Sequence, residues 1–92
     1  MKILKFSASW CGACKQLEKE LSTLKGVEVQ SIDVDEEESE SLIDKYDVKN
    51  LPTLIYLEGD KEIYRSVGLV KANVLQETWN KLKENEVNQS SL

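Results

Sequence analysis

Apolar residues follow two different spacings in the first part of this 92-residue chain. The apolar run between Lys2 and Ala8 has no helical period, which predicts a strand. From Cys11 onward, apolar residues recur at intervals of three and four, which predicts an amphipathic helix that ends near Gly26. The chain therefore begins with a strand that leads directly into a helix.

The middle of the chain repeats this order. Apolar positions between Val27 and Val34 predict a second strand, whose irregular alternation a buried parallel strand tolerates. The acidic run that begins at Asp35 is typical of a helix N-terminus. We expect the inner face of this short helix to consist of Leu42, Ile43 and Tyr46.

The last part of the chain predicts a hairpin and a third helix. Strands from Thr53 to Leu57 and from Ile63 to Val67 flank a turn at 58–60. A helix follows from about Lys71 to Lys83, and the polar segment 85–92 is interpreted as a frayed tail. The predicted inner face of the last helix consists of Leu75, Trp79 and Leu82.

The predicted order of elements is β-α-β-α-β-β-α, which indicates an α/β fold. We expect a four-stranded mixed sheet flanked by three helices, in which the first two connections are right-handed crossovers between parallel strands. The hairpin adds an antiparallel edge. This length accommodates one hydrophobic core, so residues 1–84 are assigned to one domain and residues 85–92 to the tail.

Composition and charge narrow the classes of partner. The chain is 40% hydrophobic and 32% charged, which is typical of a globular domain. Its net charge of -5 disfavours nucleic acid and anionic membranes, because both would repel the average surface. No apolar run approaches the ~20 residues of a membrane span, and no export signal is recognisable. We therefore expect a cytoplasmic protein.

The two cysteines, Cys11 and Cys14, lie where the first strand is predicted to pass into the first helix. Free amide N–H groups and the dipole of a helix N-terminus stabilise a thiolate, so the pKa of Cys11 is expected to be low. Residues three apart lie on one helical face, close enough to form a disulfide after modest adjustment. This placement indicates Cys11 as a nucleophile and Cys14 as the resolving cysteine.

A bare cysteine pair also fits half of a metal site or a chance spacing. A structural zinc ion usually needs four ligands, and the chain has neither histidine nor a third cysteine, so a metal or cluster would require a dimer. The acidic residues 33–38 are interpreted as solvated charge near a helix end. We predict no metal and no cofactor other than a redox-active disulfide between the cysteines.

The segment around the cysteines resembles the active-site strand and loop of thioredoxins, where residues 6–15 read FSASWCGACK. A second segment, residues 50–54, is similar to the cis-proline segment of that family and reads NLPTL. The resemblance also includes residues 32–35 and Gly68, and it covers most of residues 1–84. It implies a minimal thioredoxin fold, protein disulfides as substrates, and a donor of electrons that resembles thioredoxin reductase.

The resemblance also implies a substrate surface. Beside a cis Pro52, Leu51 would pair its main-chain groups with an extended substrate segment. Trp10 would be a partly exposed contact platform rather than a core aromatic residue, and Gly68 would allow a close approach of backbone. The sequence alone favours the ordinary trans bond before Pro52. The implied surface is completed by Gly12 and Ala13.

The chain departs from the family pattern at several places. Ala13 stands where proline is usual, which removes a rigid φ and is expected to alter the redox potential. Lys5 stands where the resemblance leads us to expect a buried aspartate beneath Cys14. Lys5 either tunes the thiolate chemistry through its charge, or its stem runs past the sheet to water. The chain also begins at the strand before the cysteines, without the preceding strand and helix that most thioredoxins carry.

The leading hypothesis is a monomeric protein-disulfide reductase that carries electrons and contributes to cell redox homeostasis. One alternative is a glutathione-dependent glutaredoxin, although that family usually has a Cys-Pro-x-Cys loop and a later Gly-Gly, whereas this chain has Gly12-Ala13 and a lone Gly68. A second alternative is a thioredoxin-fold binding subunit whose cysteines are not used.

Overall fold

Four strands and three α-helices make up the computed structural model, which describes residues 1–90. The strands are β1 (Lys2–Ser7), β2 (Val29–Asp33), β3 (Thr53–Glu58) and β4 (Lys61–Val67). The helices are α1 (Gly12–Ser22), α2 (Glu40–Lys45) and α3 (Ala72–Ser90), and a 3-10 turn at Glu37–Ser39 precedes α2. The predicted α/β fold and order of elements are confirmed.

The sheet has the strand order β2-β1-β3-β4. β1 pairs parallel with β2 and antiparallel with β3, and β4 pairs antiparallel with β3, so the predicted mixed sheet and its antiparallel edge are confirmed. Because β1 lies between two strands and is covered on both faces, Ile3, Leu4 and Phe6 are all buried. Burial on both faces explains why the first apolar run shows no alternation.

The prediction of a second crossover between parallel strands is wrong. Asp33 at the end of β2 lies opposite Ser7, and Thr53 at the start of β3 lies opposite Phe6. β2 therefore ends, and β3 begins, at the same end of the sheet, next to the C-terminal end of β1. The helix between them, α2, has six residues and spans about 9 Å, which is shorter than a five-residue strand of about 16 Å. The chain enters β3 at the end of the sheet where β2 finishes, so β3 runs antiparallel to β1.

β2 pairs parallel with β1 as predicted, but it is not the buried strand that was expected. β2 is an edge strand, in which Gln30 and Ser31 are exposed and Ile32 is buried. Its irregular pattern reflects a single covered face and a free edge rather than burial from both sides.

Two hydrophobic clusters fill the two faces of the sheet. On the α1 and α3 face, the buried residues are Ile3, Leu17, Leu54, Tyr56, Leu75 and Trp79. On the α2 face, they are Leu4, Phe6, Ile32, Tyr46, Ile55 and Leu57. The predicted inner faces of the second and third helices therefore pack on opposite sides of the sheet.

Two helix ends differ from the prediction. α1 ends at Ser22, before Gly26, because the hydroxyl groups of Ser22 and Thr23 donate to the carbonyls of Lys19 and Glu20. α3 continues through residues 85–90, which were predicted as a frayed tail. That segment has no glycine or proline to end a helix. Residues 91–92 lie outside the described residues.

Candidate active site

Cys11 occupies the N-cap position of α1, with an extended backbone of φ -93° and ψ 108°. Its N–H donates to the Ala8 carbonyl at 3.2 Å, which closes the loop after β1. Its Sγ accepts a hydrogen bond from the Cys14 N–H at 3.2 Å, as a polar side chain does at this position. The first turn of α1 contains no acidic residue, so the helix dipole acts on the sulfur without an opposing charge from that turn.

Cys14 lies in the first turn of α1 and forms a disulfide with Cys11. Their Cα atoms are 5.2 Å apart, within the range of protein disulfides. Cys11 is 9% exposed and Cys14 is 3% exposed, so Cys11 is the more accessible sulfur. The predicted disulfide pairing is confirmed, and the assignment of nucleophile and resolving cysteine stays a prediction that this difference in exposure favours.

The Leu51–Pro52 peptide bond is cis, as the resemblance implies. The buried Pro52 accepts a hydrogen bond from the Gly68 N–H at 2.9 Å, and the Thr53 hydroxyl donates to the Asn50 carbonyl at 2.6 Å. Within the described part of the chain, no main-chain hydrogen bond involves Leu51. Its N–H and C=O therefore remain available to a partner strand.

The cis-proline segment and the cysteines share a cavity of about 430 Å³, which Cys11 and Leu51 both line. The other apolar lining residues are Trp10, Val34, Ile43 and Val48, and Lys49 and Asn50 add polar groups. The fold thus brings together two segments that lie about forty residues apart in the sequence and surrounds Cys11 with a mainly apolar groove.

Trp10 is 69% exposed, so the prediction of an exposed indole is confirmed. Its Nε1–H donates to the Asp35 carboxylate at 2.9 Å, and the Asp35 N–H donates to the Asp33 side chain at 2.9 Å. This role of Asp35 was missed in the sequence, where the residue was assigned to a helix N-terminus. No local spacing connects residues 25 positions apart. That Trp10 contacts substrate stays a prediction.

Gly68 directly follows β4 with φ +93°, a backbone conformation that glycine adopts without a steric penalty. Its hydrogen bond to Pro52 places it beside the cis-proline segment. Gly12 and Ala13 are exposed at the start of α1. Contacts of these three residues with a substrate stay predictions.

Lys5 is buried in the middle of β1, where its side chain is 6% exposed. This burial disfavours the alternative that its stem runs past the sheet to water, and a role of Lys5 in tuning the thiolate stays a prediction. The Lys5 Nζ lies 4.0 Å from Oε1 of Glu18, a residue that no motif in the sequence singles out. Lys5, Glu18 and Cys14 line a second cavity, of about 650 Å³.

Arg65 of β4 was also missed. Its guanidinium donates to both carboxylate oxygens of Glu62 at 2.8 Å and to the main-chain carbonyls of Tyr46 and Asp47. The hydrogen bond from Arg65 lowers the pKa of Glu62 from its ordinary value of 4.5. Residues three apart in a regular strand face opposite sides, but a register shift opposite Tyr56 brings these two together. The sequence does not show that shift.

Two further functional classes receive no support from residues 1–90. Among residues 1–84, whose side chains the structure describes, no group of three or more His, Cys, Asp or Glu is arranged to hold a metal ion. No helix in the described part of the chain combines the length and the apolar character needed to cross a membrane.

The family model for thioredoxin matches residues 1–81. The chain belongs to the thioredoxin family. It is 44% identical over 78 residues to Thioredoxin-1 of Caenorhabditis elegans, a match that covers 80% of the chain and 66% of that protein. It is 41% identical over 69 residues to Thioredoxin H5 of Oryza sativa subsp. japonica, covering 72% of the chain and 50% of that protein. The chain thus spans less than two thirds of the length of these two relatives.

A solved structure of thioredoxin 1 from Thermosipho africanus is similar to this chain over nearly the whole length of both proteins. The superposition has a TM-score of 0.77 at 26% identity and covers 94% of this chain and 98% of that one. The minimal thioredoxin fold implied by the resemblance is confirmed. Family membership together with a bonded Cys11–Cys14 pair supports thiol–disulfide oxidoreductase chemistry.

Proposed function

We propose that this chain is a protein-disulfide reductase of the thioredoxin family that cycles between a Cys11/Cys14 dithiol and a disulfide. The observation that carries the proposal is the bonded pair at the N-terminus of α1, in a groove that Leu51 also lines. A thiolate gains stability at a helix N-terminus, and a partner disulfide reaches Cys11 through that groove. The cycle uses no cofactor beyond the two cysteines.

Reduction proceeds in two exchanges. The Cys11 thiolate attacks one sulfur of the substrate disulfide, a mixed disulfide forms, and the second substrate sulfur leaves as a thiolate that takes a proton from solvent. Cys14 then loses its proton and attacks Cys11 Sγ, which forms the Cys11–Cys14 bond and releases the first substrate sulfur. Two electrons pass from the protein to the substrate.

The substrate surface consists of the groove and the segments around it. Leu51 pairs its unengaged main-chain groups with an extended substrate segment, which is a form of strand addition. Trp10 supplies an exposed aromatic contact held by Asp35, and Gly68 lets the substrate backbone approach. Gly12 and Ala13 contact the substrate beside the nucleophile. Because main-chain pairing is independent of side chains, we expect broad substrate selection.

The electron donor and the setting form a second part of the proposal. A protein that resembles thioredoxin reductase regenerates the dithiol, and the chain acts as a monomer in the cytoplasm, in electron transport and redox homeostasis. Family membership supports the donor class. The net charge of -5 makes nucleic acid and anionic membranes unsuitable partners.

An insulin-reduction assay tests this function, with electrons supplied separately by thioredoxin reductase with NADPH, by glutathione and by dithiothreitol. We expect turnover with the reductase and with dithiothreitol. Cys11→Ser is expected to reduce the rate to the uncatalysed background because the nucleophile is lost. Cys14→Ser is expected to accumulate a mixed disulfide that mass spectrometry detects.

The electron donor that supports activity distinguishes the proposed function from its two alternatives. Activity with glutathione alone would assign the chain to glutaredoxin-type function. Inactivity with all three donors would refute catalysis, and a partner complex that persists in Cys11→Ser would then indicate a binding subunit. Circular dichroism of each variant shows whether the fold is retained.

A further inference from the structure

Lys5 carries a charge in the interior of the sheet. Its strand β1 lies between β2 and β3, and its neighbours Leu4 and Phe6 are buried. The Lys5 side chain itself is 6% exposed. A charge in such a place costs free energy unless opposite charges or polar surroundings compensate for it. The groups around the Lys5 ammonium therefore determine whether its charge is compensated.

The ammonium of Lys5 lies near one carboxylate of α1, and the Lys5 side chain shares a cavity with Cys14 of the same helix. Glu18 lies 4.0 Å away, but its side chain is 70% exposed, so solvent weakens the attraction. Cys14 stands four residues before Glu18, which places both on one face of the helix. All three line the same cavity. Lys5 thus shares this cavity with the Glu18 carboxylate, its ion-pair partner, and with a thiol that becomes negative when it ionises.

This cavity provides space for water next to Cys14. Its volume of about 650 Å³ is far above the roughly 30 Å³ that one water molecule occupies in the liquid. Ser7 and Ser31 add polar groups to its wall. A proton that leaves Cys14 therefore has a route to solvent. The other ionisable side chains that line the cavity are Lys15 from α1, Asp33 from β2, and Glu36 and Glu38 from the segment after β2.

We propose that Lys5 is a positioning residue for the resolving step, whose ammonium stabilises the Cys14 thiolate, and that Glu18 competes with this thiolate for the same ammonium. The inference rests on the proposed function. In the disulfide form Cys14 carries no charge, and Lys5 pairs with Glu18. In the mixed disulfide, the Cys14 thiol gives its proton to water in the cavity, and Lys5 balances the charge that forms.

Electrons and atoms balance in this step without a further reactant. The Cys14 thiolate donates an electron pair to Cys11 Sγ and forms the Cys11–Cys14 bond. The bond between Cys11 and the substrate sulfur breaks, and that sulfur leaves with its electron pair as a thiolate, which takes a proton from solvent. Lys5 acts through its charge alone and takes no part in the bonds that form and break.

The test is a direct titration of Cys14 in a Cys11→Ser background, where no disulfide forms. The 13Cβ NMR signal of labelled Cys14 reports thiol ionisation without requiring a reagent to reach the buried sulfur. Lys5→Met removes the charge at similar volume and is expected to raise the Cys14 titration midpoint by about one pH unit. Lys5→Arg keeps the charge and is expected to restore most of the shift.

Glu18→Gln tests the competition and has the opposite expected sign. Without the carboxylate, Lys5 interacts with the thiolate alone, so the Cys14 midpoint is expected to fall. Lys19→Met is the matched control, because Lys19 is the next residue of α1 and does not line the cavity. The pH midpoint of Cys14 ionisation in the Lys19→Met variant is expected to equal that of the Cys11→Ser parent.

Equal midpoints in Lys5→Met and Lys19→Met would overturn the proposal, and so would an upward shift in Glu18→Gln. If Lys5→Met does not fold, the exposed Glu18 position still decides the question, because an unchanged or higher midpoint there contradicts the competition. The titration involves no substrate or donor. A negative result here is therefore distinguishable from inactivity in the insulin assay, which tests the proposed function itself.

Discussion

The two tryptophans show at the scale of single residues how the fold gives one residue type two roles. Trp79 is 4% exposed in the core between α1, α3 and the sheet, whereas Trp10 is 69% exposed beside Cys11. An indole that contributes to a core loses its transfer free energy and leaves a cavity when truncated. An exposed indole that hydrogen-bonds to Asp35 contributes little to stability and offers its face to a partner.

The contrast gives a prediction for matched truncations. Trp79→Ala is expected to lower the free energy of unfolding by about 3–5 kcal/mol, and Trp10→Ala to change it by less than about 0.5 kcal/mol. Trp10→Ala is instead expected to raise the KM for insulin in the reductase-coupled assay. Urea unfolding and steady-state kinetics measure the two effects. A large loss of stability in Trp10→Ala, or an unchanged KM, would contradict the platform role.

At the scale of elements, Arg65 connects β4 to the end of α2 and to the segment that leads to the cis-proline. Its guanidinium bonds to the carbonyls of Tyr46 and Asp47, and Asp47 has φ +50°. Val48 and Leu51, which follow in this segment, line the groove beside Cys11. The edge strand thereby supports one wall of the candidate substrate site.

Arg65→Met is expected to destabilise the protein by about 1–2 kcal/mol at neutral pH, given that the ion pair is partly exposed. Arg65 lowers the pKa of Glu62 below 4.5, so the contribution of the pair is present above that pH and is lost as pH falls through the lowered pKa. The stability gap between the parent and Arg65→Met is therefore expected to shrink at acid pH. Urea midpoints at neutral pH and near pH 3 measure it.

Lys61→Met, on the same strand, serves as the control for Arg65→Met because Lys61 is exposed. The difference in free energy of unfolding between Lys61→Met and the parent is expected to be the same at neutral pH and near pH 3. A gap for Arg65→Met that stayed constant down to pH 3 would mean that Glu62 is not the linked group.

At the scale of the whole molecule, the sheet separates two hydrophobic clusters, and β3 contributes to both. Tyr56 of β3 lies in the α1 and α3 cluster, and its hydroxyl has no hydrogen-bond partner among the described residues. Desolvation by burial, with a smaller contribution from Tyr64, raises the pKa of Tyr56 from 10 to about 12. The core therefore contains an unsatisfied polar group, the Tyr56 hydroxyl.

Tyr56→Phe is expected to raise the free energy of unfolding by about 1 kcal/mol, because it removes an unsatisfied buried hydroxyl and preserves the ring. Since the folded pKa is raised, the stability of the parent is expected to fall as pH rises from 10 toward 12. Tyr56→Phe should lack this part of the alkaline loss. Urea unfolding at pH 8 and near pH 11 measures both effects.

Tyr64→Phe is the control for Tyr56→Phe, because Tyr64 is 46% exposed. It is expected to leave stability within about 0.5 kcal/mol. If Tyr56→Phe proved clearly destabilising, the hydroxyl would have to be satisfied, and the assignment of an unsatisfied core group would be wrong.

The sequence by itself determined the elements and the chemistry at Cys11 and Cys14, because periodicity and helix-end effects are local. The tertiary structure alone decided the direction of β3, the edge position of β2, and which distant side chains meet. The pairs Trp10–Asp35, Lys5–Glu18 and Arg65–Tyr46, each more than ten residues apart in the chain, depend on strand order and on how the helices pack against the sheet. No local pattern encodes these features, since they arise from packing between segments far apart in the chain.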